Sequence, residues 1–414
     1  MQEVVITGLG IVCPLGIGRE PVWASLESHT SGIRRIDRLA EAGFPITFGG
    51  EVPNFDGKQY VQPRKSLKVM CRETQQAFTA AELAWAEAGL ADVTIDPDRF
   101  GVVLGANVFR SDIEELVALY RATSTAGEFD FGKWNAAFKE LYPLWMLKYL
   151  PNMAACHIGI AKDARGPNNT IVQGDVSSLL AIIEATDTIA RGHADIMITG
   201  ATGSLLSWVD VCWHGGARVS RNNADPAGAC RPFDARRDGF AMAEGAAVFM
   251  LESLSHAEKR GAKIRGRILG YGRRAEQVPS GGSISGQSIS QAIQAALAMG
   301  HVAPNEVGHI NAHGLGTLED DAAEARAILD TLGEVPVTGL KGFVGNAGAS
   351  CGAVELALSL LAMEKNLIPP LLNCDEPDFD LNVSTKMRFA SSSACLKLSH
   401  KYTGQAAALL VSSE

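Results

Sequence analysis

The sequence predicts an α/β fold in which strands and helices form alternating layers. Over 414 residues, short runs rich in β-branched residues alternate with longer segments that have the apolar period of a helix. The alternation occurs in two series, and the second series begins near Ile264. Each series has a glycine-rich turn directly before a major helix, which hints at internal duplication. This order of elements is typical of layered α/β proteins with buried strands.

The first series begins at residue 3 and contains four predicted strands. Runs such as RFGVVLGAN predict these strands at 3–12, 99–107, 170–174 and 194–204. Amphipathic patterns predict its main helices at 71–90 and 176–192. Residues 106–150 interrupt the alternation, because their pattern is mostly helical and they contain two of the six tryptophans. We expect this insertion to form a helical cap over the core.

The second series repeats the arrangement with five predicted strands and three predicted helices. The strands are expected at 263–274, 309–317, 335–340, 387–398 and 405–413. The helices are expected at 285–300, 318–332 and 353–365. We place the division between the two halves at 251/252, which gives segments 1–251 and 252–414. No low-complexity linker separates them, so the halves are expected to pack as one unit.

Composition and charge exclude several classes of function. Apolar residues make up 46% of the chain and charged residues 20%, which is ordinary for a globular protein. No apolar run approaches the roughly 18 to 20 residues that a membrane span requires. The opening MQEVVITGLG has no basic region, so we expect no signal peptide. A net charge of −9 argues against a nucleic-acid surface.

The cysteines indicate a reduced, cytoplasmic protein. There are eight, and none forms a CxxC pair, so the sequence suggests neither a disulfide framework nor a zinc site. The glycine-rich turns do not fit a P-loop or a dinucleotide-binding fingerprint. We therefore expect no cofactor and no metal.

Motifs across nearly the whole chain resemble one family, the β-ketoacyl-acyl carrier protein synthases. These are the elongating condensing enzymes of fatty acid and polyketide synthesis. The matching segments are VVITGLGIVCPLG (4–16), YLPNMAACHIGIAKDARGP (149–167), RPFDARRDGFAMAEGAAVFMLE (231–252), NAHGLGTLEDDAAEARAI (311–328) and LIPPLLNCDEPD (367–378). The resemblance implies a thiolase-like fold, with duplicated halves in a five-layered α/β/α/β/α core and the helical cap as an insertion.

The resemblance also implies where the reaction centre lies. In such enzymes a cysteine at a helix N-terminus takes up the acyl chain, and two histidines and a lysine assist malonyl decarboxylation. The nucleophile position falls here on Asp175, within TIVQGDVSSLLAII. The first histidine position is retained as His313, and the lysine as Lys341. The second histidine position, in KGFVGN, is occupied by Asn346.

A second departure concerns the family's Gly-Phe-Gly-Gly gating turn. The corresponding stretch is SHKYTGQAAALLV, so Tyr402 takes the phenylalanine position and only Gly404 of the glycines survives. The resemblance implies a substrate-binding role for these two residues.

Two interpretations of Asp175 remain open. Aspartate is among the best N-capping residues, and its charge suits the positive end of a helix, so a structural role is favoured. The functional hypothesis is a general base or a carboxylate nucleophile. Its charge would oppose a malonyl carboxylate, since two like charges about 4 Å apart repel by about 4 kcal/mol at an effective dielectric of ~20.

The other candidate residues also have two interpretations. For His313, structural and catalytic roles are evenly balanced, while Asn346 can donate a hydrogen bond but cannot become cationic near neutral pH. Lys341 is expected in a buried salt link with Asp175 or Glu324. Cys351 lies near a predicted helix start, where thiols can be activated, but a packing role is favoured.

Two functions from different classes follow from these residues. The first is a non-condensing homologue that pairs with an active ketosynthase, in the manner of a chain-length factor. The second is an enzyme with altered acyl-transfer, hydrolase or decarboxylase chemistry on acyl-carrier-protein substrates. A plain acyl-carrier-protein binding module is a weaker third. The expected partners are an acyl carrier protein and either an active ketosynthase or a second copy of the chain.

Overall fold

Two sets of five strands form the centre of the molecule. The structure is a computed structural model that describes residues 2–214 and 218–414. The first set contains β1 (Val4–Cys13), β2 (Phe100–Ala106), β3 (Asn168–Ile171), β4 (Ile196–Ser204) and β5 (Glu244–Ser253). They lie in the order β3-β2-β4-β5-β1, with β2 parallel to both β3 and β4 and with β5 antiparallel to β4 and β1.

The second set repeats this arrangement strand for strand. It contains β6 (Gly266–Ala275), β7 (His309–Asn311), β8 (Val337–Thr338), β9 (Ala394–His400) and β10 (Gln405–Ser413). Their order is β8-β7-β9-β10-β6, so the third, second, fourth, fifth and first strands of each set lie side by side. The predicted duplication of the fold is therefore confirmed.

The two sets meet at their first strands. β1 pairs with β6 through only two residue pairs, Val5 with Arg267 and Ile6 with Gly266. The predicted boundary at 251/252 falls inside β5, and the chain leaves the first set only after Ser253. The exact division of the chain into halves stays a prediction.

Six helices complete the layers. They are α1 (Arg72–Glu87), α2 (Met153–Lys162), α3 (Ser177–Ala190), α4 (Gln287–Gly300), α5 (Leu318–Leu332) and α6 (Cys351–Met363). The helices α1 and α2 pack on the outer face of the first sheet, and α4 and α5 pack in the outer core of the second. The apolar helices α3 and α6 pack against each other between the sheets. The five-layered α/β/α/β/α prediction is confirmed.

The insertion at 106–150 is mostly helical, as predicted, but it also contains a small hairpin. Its helices are Ile113–Ala122, Trp134–Ala137 and Trp145–Lys148, and its hairpin joins Ser124–Thr125 to Glu128–Phe129. The edge of the Trp134 ring meets Phe138 at 5.4 Å between centroids, so aromatic contacts hold the small helices together.

Shorter elements connect the layers. The short helices outside the cap are Arg19–Glu27, Asp37–Glu41, Trp208–His214, Leu254–Lys259 and Lys341–Val344. The remaining short strands are Gly16–Ile17, Arg34–Arg35, Phe48–Gly49, Leu367–Ile368 and Arg388–Phe389. Within the described ranges, no helix is long and apolar enough to cross a membrane.

Candidate functional site

Asp175 lies at the entrance to α3, in a short 3-10 turn at Gly174–Val176. The strand before it ends at Ile171, earlier than predicted, because Gly174 adopts a φ of +63° and turns the chain away from the sheet. The N-cap of α3 is Val176, and no side chain caps that position. The prediction that Asp175 caps the helix is therefore wrong. Its carboxylate is only partly buried and is left to face the neighbouring space.

That space is a cavity of about 560 Å³. Three of the predicted site residues, Asp175, Asn346 and Tyr402, form part of its wall. The wall also carries polar and charged side chains that sequence analysis did not select, namely Asn107, Arg110, Gln173, Asp210, His214, Arg218 and Lys401. Apolar side chains such as Leu205, Phe240 and Leu315 fill the spaces between them. The cavity can thus accept a ligand with both apolar and polar parts.

Asn346 is buried and is hydrogen-bonded to the backbone around it. Its Oδ1 accepts a hydrogen bond of 3.0 Å from the backbone N–H of Gly348, and its backbone N–H donates to the carbonyl oxygen of Ala241 at 2.7 Å. Since the Oδ1 atom already accepts a hydrogen bond, the Nδ2 group is the part of the side chain that can donate a hydrogen bond to a ligand in the cavity. The position therefore offers the cavity a neutral donor that does not titrate near neutral pH.

Lys341 lies behind the cavity in a fully buried charge cluster. Its Nζ donates to Glu355 at 2.7 Å and to the carbonyl oxygen of His313 at 2.6 Å, while Lys397 binds the other oxygen of Glu355. The predicted buried salt link exists, but the expected partners, Asp175 and Glu324, were wrong. Burial opposes the charge on Lys341, yet the attraction of Glu355 outweighs it and raises the pKa of the lysine.

His313 is fully buried and electrically neutral. Burial first, and then the nearby charge of Lys341, hold the pKa of the imidazole well below its ordinary value. The Nδ1 atom is 3.1 Å from the protonated Nζ of Lys341 and so accepts, which places the imidazole proton on Nε2. That Nε2 atom has no hydrogen-bond partner among the described residues.

A second histidine accompanies His313 in this cluster. The ring of His400 meets it edge-on, with 4.6 Å between centroids. Both are tied to Glu324, which accepts hydrogen bonds from the amides of His313 and Gly314 at 2.6 and 2.8 Å and lies 3.5 Å from Nε2 of His400. Neither imidazole forms part of the cavity wall, so His313, a predicted site residue, lies behind the cavity and not on its surface.

The two predicted substrate-binding residues, Tyr402 and Gly404, lie in different surroundings. Tyr402 is half-exposed and lies on the cavity wall, where Arg218 sits over its ring at 4.7 Å and Lys401 at 5.8 Å. Gly404 lies outside the wall and forms the turn itself, with a φ of +96°. A Cβ atom there would lie 2.2 Å from the carbonyl oxygen of Glu276, so the turn requires glycine.

Cys351 is the first residue of α6 and is buried. Its Sγ lies 3.8 Å from the backbone oxygen of Asp175, close to the site but not on the cavity wall. Burial raises the pKa of the thiol to about 12, which overrides any activation by the helix start. These surroundings agree with the favoured packing role.

Sequence analysis missed the residues that organise this region. Glu355 is a single acidic residue in the apolar run AVELALSLLAM, and Lys397 is a single cation in the strand SACLKLSH. A lone charge within an apolar element is a signal for a buried ion pair, because an unpaired one would be too costly. His214 and Arg218 gave no comparable signal, since their place on the cavity wall depends on the folded chain.

The arrangement limits the chemistry that the cavity can perform. Its wall presents the carboxylate of Asp175, the amide of Asn346 and the imidazole of His214, whose pKa is lowered by burial. The part of the wall that the structure describes contains no thiol. The cavity can therefore bind and orient a polar ligand and can accept a proton, but it lacks the sulfur on which an acyl thioester would form.

Comparison with known proteins assigns the fold to a family. Residues 1–257 match "Beta-ketoacyl synthase, N-terminal domain" and residues 265–375 match "Beta-ketoacyl synthase, C-terminal domain". The tetracenomycin polyketide synthase ketoacyl synthase alpha subunit of Streptomyces glaucescens is 33% identical over 91% of this chain and 88% of its own length.

Two further similarities extend this result. The 3-oxoacyl-[acyl-carrier-protein] synthase 2 of Coxiella burnetii is 32% identical over 91% of this chain and 89% of its own length. The structure of the ishigamide ketosynthase/chain length factor superposes with a TM-score of 0.83 and 26% identity, covering 100% of this chain and 99% of that one. The chain therefore belongs to the beta-ketoacyl synthase family of polyketide and fatty acid synthesis.

Proposed function

We propose that the protein is a non-condensing member of its family that works as the partner of an active ketosynthase. The observation that carries the proposal is the carboxylate of Asp175 at the entrance to α3, on the wall of the cavity. In condensing members that place belongs to a cysteine. A carboxylate cannot form a thioester, and the mixed anhydride that it could form is readily hydrolysed.

Among the residues that the structure describes, no thiol lies on the wall of the cavity where it could act in place of Asp175. Cys351 is the nearest candidate, but it is buried behind the wall, and its high pKa leaves almost none of it as thiolate at neutral pH. Asn346 also removes one titratable group that malonyl decarboxylation would use. Both residues therefore oppose condensation. Asp175 cannot take up an acyl chain as a thioester, and Asn346 cannot titrate to assist decarboxylation.

Two relatives of this protein support a partnership with another chain. One structural relative is named as a ketosynthase/chain length factor, and one sequence relative acts on acyl-carrier-protein substrates by name. The five-layered scaffold is complete, so binding to a ketosynthase of the same fold needs no new architecture. We propose that an acyl carrier protein delivers the growing chain to the active subunit, and that this protein shapes the space the chain occupies.

The test is co-expression with a cysteine-bearing ketosynthase from the same organism. We expect co-purification of the two chains, and 3-ketoacyl product from acyl- and malonyl-carrier protein only when both are present. Replacing the partner's nucleophilic cysteine by alanine should abolish the product. The matched change in this protein, Asp175→Ala, should leave the product in place. Condensation by this protein alone would contradict the proposal.

A second candidate function is altered chemistry on acyl-carrier-protein substrates. The observation that favours it is the presence of Asp175 and His214 on one cavity wall, where their charges interact. A carboxylate and an imidazole could together activate water for hydrolysis or assist decarboxylation. Release of free acid or CO₂ by this protein alone, lost in both Asp175→Asn and His214→Gln, would favour this candidate over the partner role.

A further inference from the structure

A second cavity shares Arg110 with the cavity that contains Asp175. Its volume is about 210 Å³, and most of the side chains in its wall are polar or charged, so we call it the polar cavity. The charged side chains of its wall are Arg38, Arg72, Arg110, Glu51, Glu73, Asp112 and Glu244. A mixed set of this kind can bind a ligand only through those groups that are not already paired with each other.

Three of the four carboxyl groups in this wall are already paired. Each lies within ion-pair distance of a cationic side chain, and two of those cations are arginines of the same wall. The pairs are Glu244 with Arg72 at 2.6 Å, Glu51 with Arg38 at 3.5 Å and Asp112 with Lys148 at 3.7 Å. These pairs account for every charged side chain that the structure places in the wall except Glu73 and Arg110.

Glu73 is the carboxyl group that remains. The residue lies in the first turn of α1 and is only 8% exposed. No ion pair joins it to a residue that the structure describes, and its one side-chain hydrogen-bonding neighbour there is the thiol of Cys71, a weak donor. Burial, helped by the charges of Glu244 and Asp210, raises the pKa of the carboxyl group to about 7. The polar cavity thus holds a buried acid that lacks a paired cation.

Arg110 is the guanidinium group that remains. Its Nε atom is buried, and no hydrogen bond from it is found among the described residues. That atom lies 3.5 Å from one oxygen of Asp210, whose other oxygen accepts a 2.6 Å hydrogen bond from the hydroxyl of Ser207. A guanidinium group binds a carboxylate best through two N–H donors at once. Arg110 can therefore still bind an anionic group.

We propose that the polar cavity binds a small amino acid, whose ammonium group pairs with Glu73 and whose carboxylate pairs with Arg110. The pairing within the wall leaves one acid and one base, so a ligand with one charge of each sign satisfies both. A simple anion would leave Glu73 without a cation, and a simple amine would leave Arg110 without a full partner. The indole ring of Trp208 offers apolar surface to the carbon chain. Neither charged side chain has a part in the function proposed above.

Binding of such a ligand should weaken as the pH falls. The ammonium group pairs with the ionised form of Glu73, whereas a pKa of about 7 leaves about half of that group protonated at pH 7 in the free protein. The ligand should therefore release about half a proton at pH 7, and its apparent Kd should rise ~25-fold from pH 7.5 to pH 5.5.

Other charged and titratable groups surround Glu73. They are Cys71 and Arg72 beside it in the chain, Asp210 and Glu244 from other elements, and Arg38, Glu51, Arg110 and Asp112 around the wall. Glu73→Gln distinguishes Glu73 from all of them, because this change alone should remove the pH dependence.

A series of small ligands, titrated into the whole protein by calorimetry, provides the test. Alanine, β-alanine and 4-aminobutyrate place the two charges at increasing distances, while propionate and propylamine each carry one of them. We expect one of the three amino acids to bind at least ~10-fold more tightly than either single-charge compound, because each charge-assisted pair contributes separately. Titrations in two buffers of different ionisation enthalpy measure the released proton.

Two variants assign the ends of the ligand. Glu73→Gln should weaken binding of the preferred amino acid ~10-fold or more without weakening that of propionate, which has no ammonium group. Arg110→Met should weaken binding of the amino acid and of propionate, but not that of propylamine. The matched control is Glu82→Gln on the same helix, since Glu82 pairs with Lys162 at 2.8 Å and lies outside the wall. It should change none of these affinities.

Four results would overturn the inference. They are failure of all three amino acids to bind the wild type, binding no tighter than that of propionate or propylamine, a Kd that does not change between pH 7.5 and pH 5.5, or an equal loss in Glu82→Gln. The first three are measured on the wild type, so a variant that fails to fold does not leave the question open. No step involves a ketosynthase or an acyl carrier protein, so the two proposals can fail separately.

Discussion

The two inner helices begin in the same way and have acquired different surroundings. Each follows a three-residue 3-10 turn, Gly174–Val176 before α3 and Gly348–Ser350 before α6. The glycine that opens each turn has the same φ of +63°. The residue after it is Asp175 in the first half, partly buried on the cavity wall, and Ala349 in the second, fully buried.

The difference continues one turn further along the helices. In α6 the fifth residue is Glu355, which holds Lys341 and Lys397, whereas the fifth residue of α3 is the buried Ala181. At these equivalent positions, the first half has the carboxylate of Asp175 just before α3, whereas the second half has the carboxylate of Glu355 inside α6. The comparison teaches that the scaffold fixes where a helix begins, while separate substitutions decide whether that place serves a ligand or the core.

The largest effect should come from introducing the cysteine and the histidine that the family resemblance implies at positions 175 and 346. Asp175→Cys alone should acylate but not condense normally, because Asn346 cannot supply a second imidazole. Help of that kind is typically worth ~10² to 10⁴ in rate. The double variant with Asn346→His should exceed either single variant by a large, non-additive factor.

The measurement is 3-ketoacyl product from acyl- and malonyl-carrier protein for the wild type and the three variants. Tyr402 stays in place on the cavity wall, so even the double variant should be slower than an intact ketosynthase. Condensation by the wild type at the rate of the double variant would show that Asp175 does not occupy the nucleophile position.

The next largest effect should come from Glu355, the buried carboxylate inside α6. Glu355→Gln leaves two buried lysines without a carboxylate and should lower the free energy of unfolding by ~3–5 kcal/mol. The matched control on α3 is Glu184→Gln, because Glu184 is partly exposed and bonds Asn169 at 2.8 Å. Its cost should stay below about 1 kcal/mol. Urea unfolding measures the free energy of unfolding of both variants. Equal losses would show that the carboxylate inside α6 is no more important for stability than the one on α3.

A smaller effect should separate the two opening glycines. Gly174→Ala and Gly348→Ala share the cost of a left-handed backbone, roughly 1–2 kcal/mol. At Gly174 the added Cβ meets only the flexible end of Lys401, at 3.1 Å. At Gly348 it meets the amide of Asn107 at 2.7 Å, which donates to Ser204 and accepts from Ala349.

The Gly348→Ala variant should therefore lose about 1–3 kcal/mol more than Gly174→Ala, since it also disturbs the partly buried hydrogen bonds of Asn107. Thermal or urea unfolding of the pair provides the measurement. A larger loss for Gly174→Ala would mean that the first helix start is the more tightly constrained of the two.

The last prediction is that the protein does not become acylated. Incubation with acyl-carrier protein should leave no acyl group on position 175 or on Cys351, the first residue of the second helix. With a pKa raised by burial to about 12, the Cys351 thiol is ~10⁻⁴ ionised at pH 8. Its alkylation should rise about tenfold with each pH unit until the protein unfolds. A stable, hydroxylamine-sensitive adduct at Cys351 in intact-mass spectrometry would point to a relocated nucleophile.

The fold could be predicted from the sequence because apolar period and β-branched runs report burial directly. The strand prediction at 309–317 was too long, since only His309–Asn311 pairs and the following glycines turn toward the cluster around His313. The partner of Lys341 could not be predicted, because α6 brings Glu355 to it from a separate element of the chain. Family resemblance assigned positions to Asp175 and Asn346, but only the folded chain placed Arg218 and His214 beside them.

The middle layer has a consequence for how the chain folds during synthesis. The helix α3 contacts strands of both sheets, so its second face stays uncovered until the ribosome has produced α6. Synthesis from Ser253 to Met363 takes roughly 5 to 20 s at usual translation speeds. During that interval the first half exposes a broad apolar surface, and we expect it to depend on chaperones until its duplicate arrives.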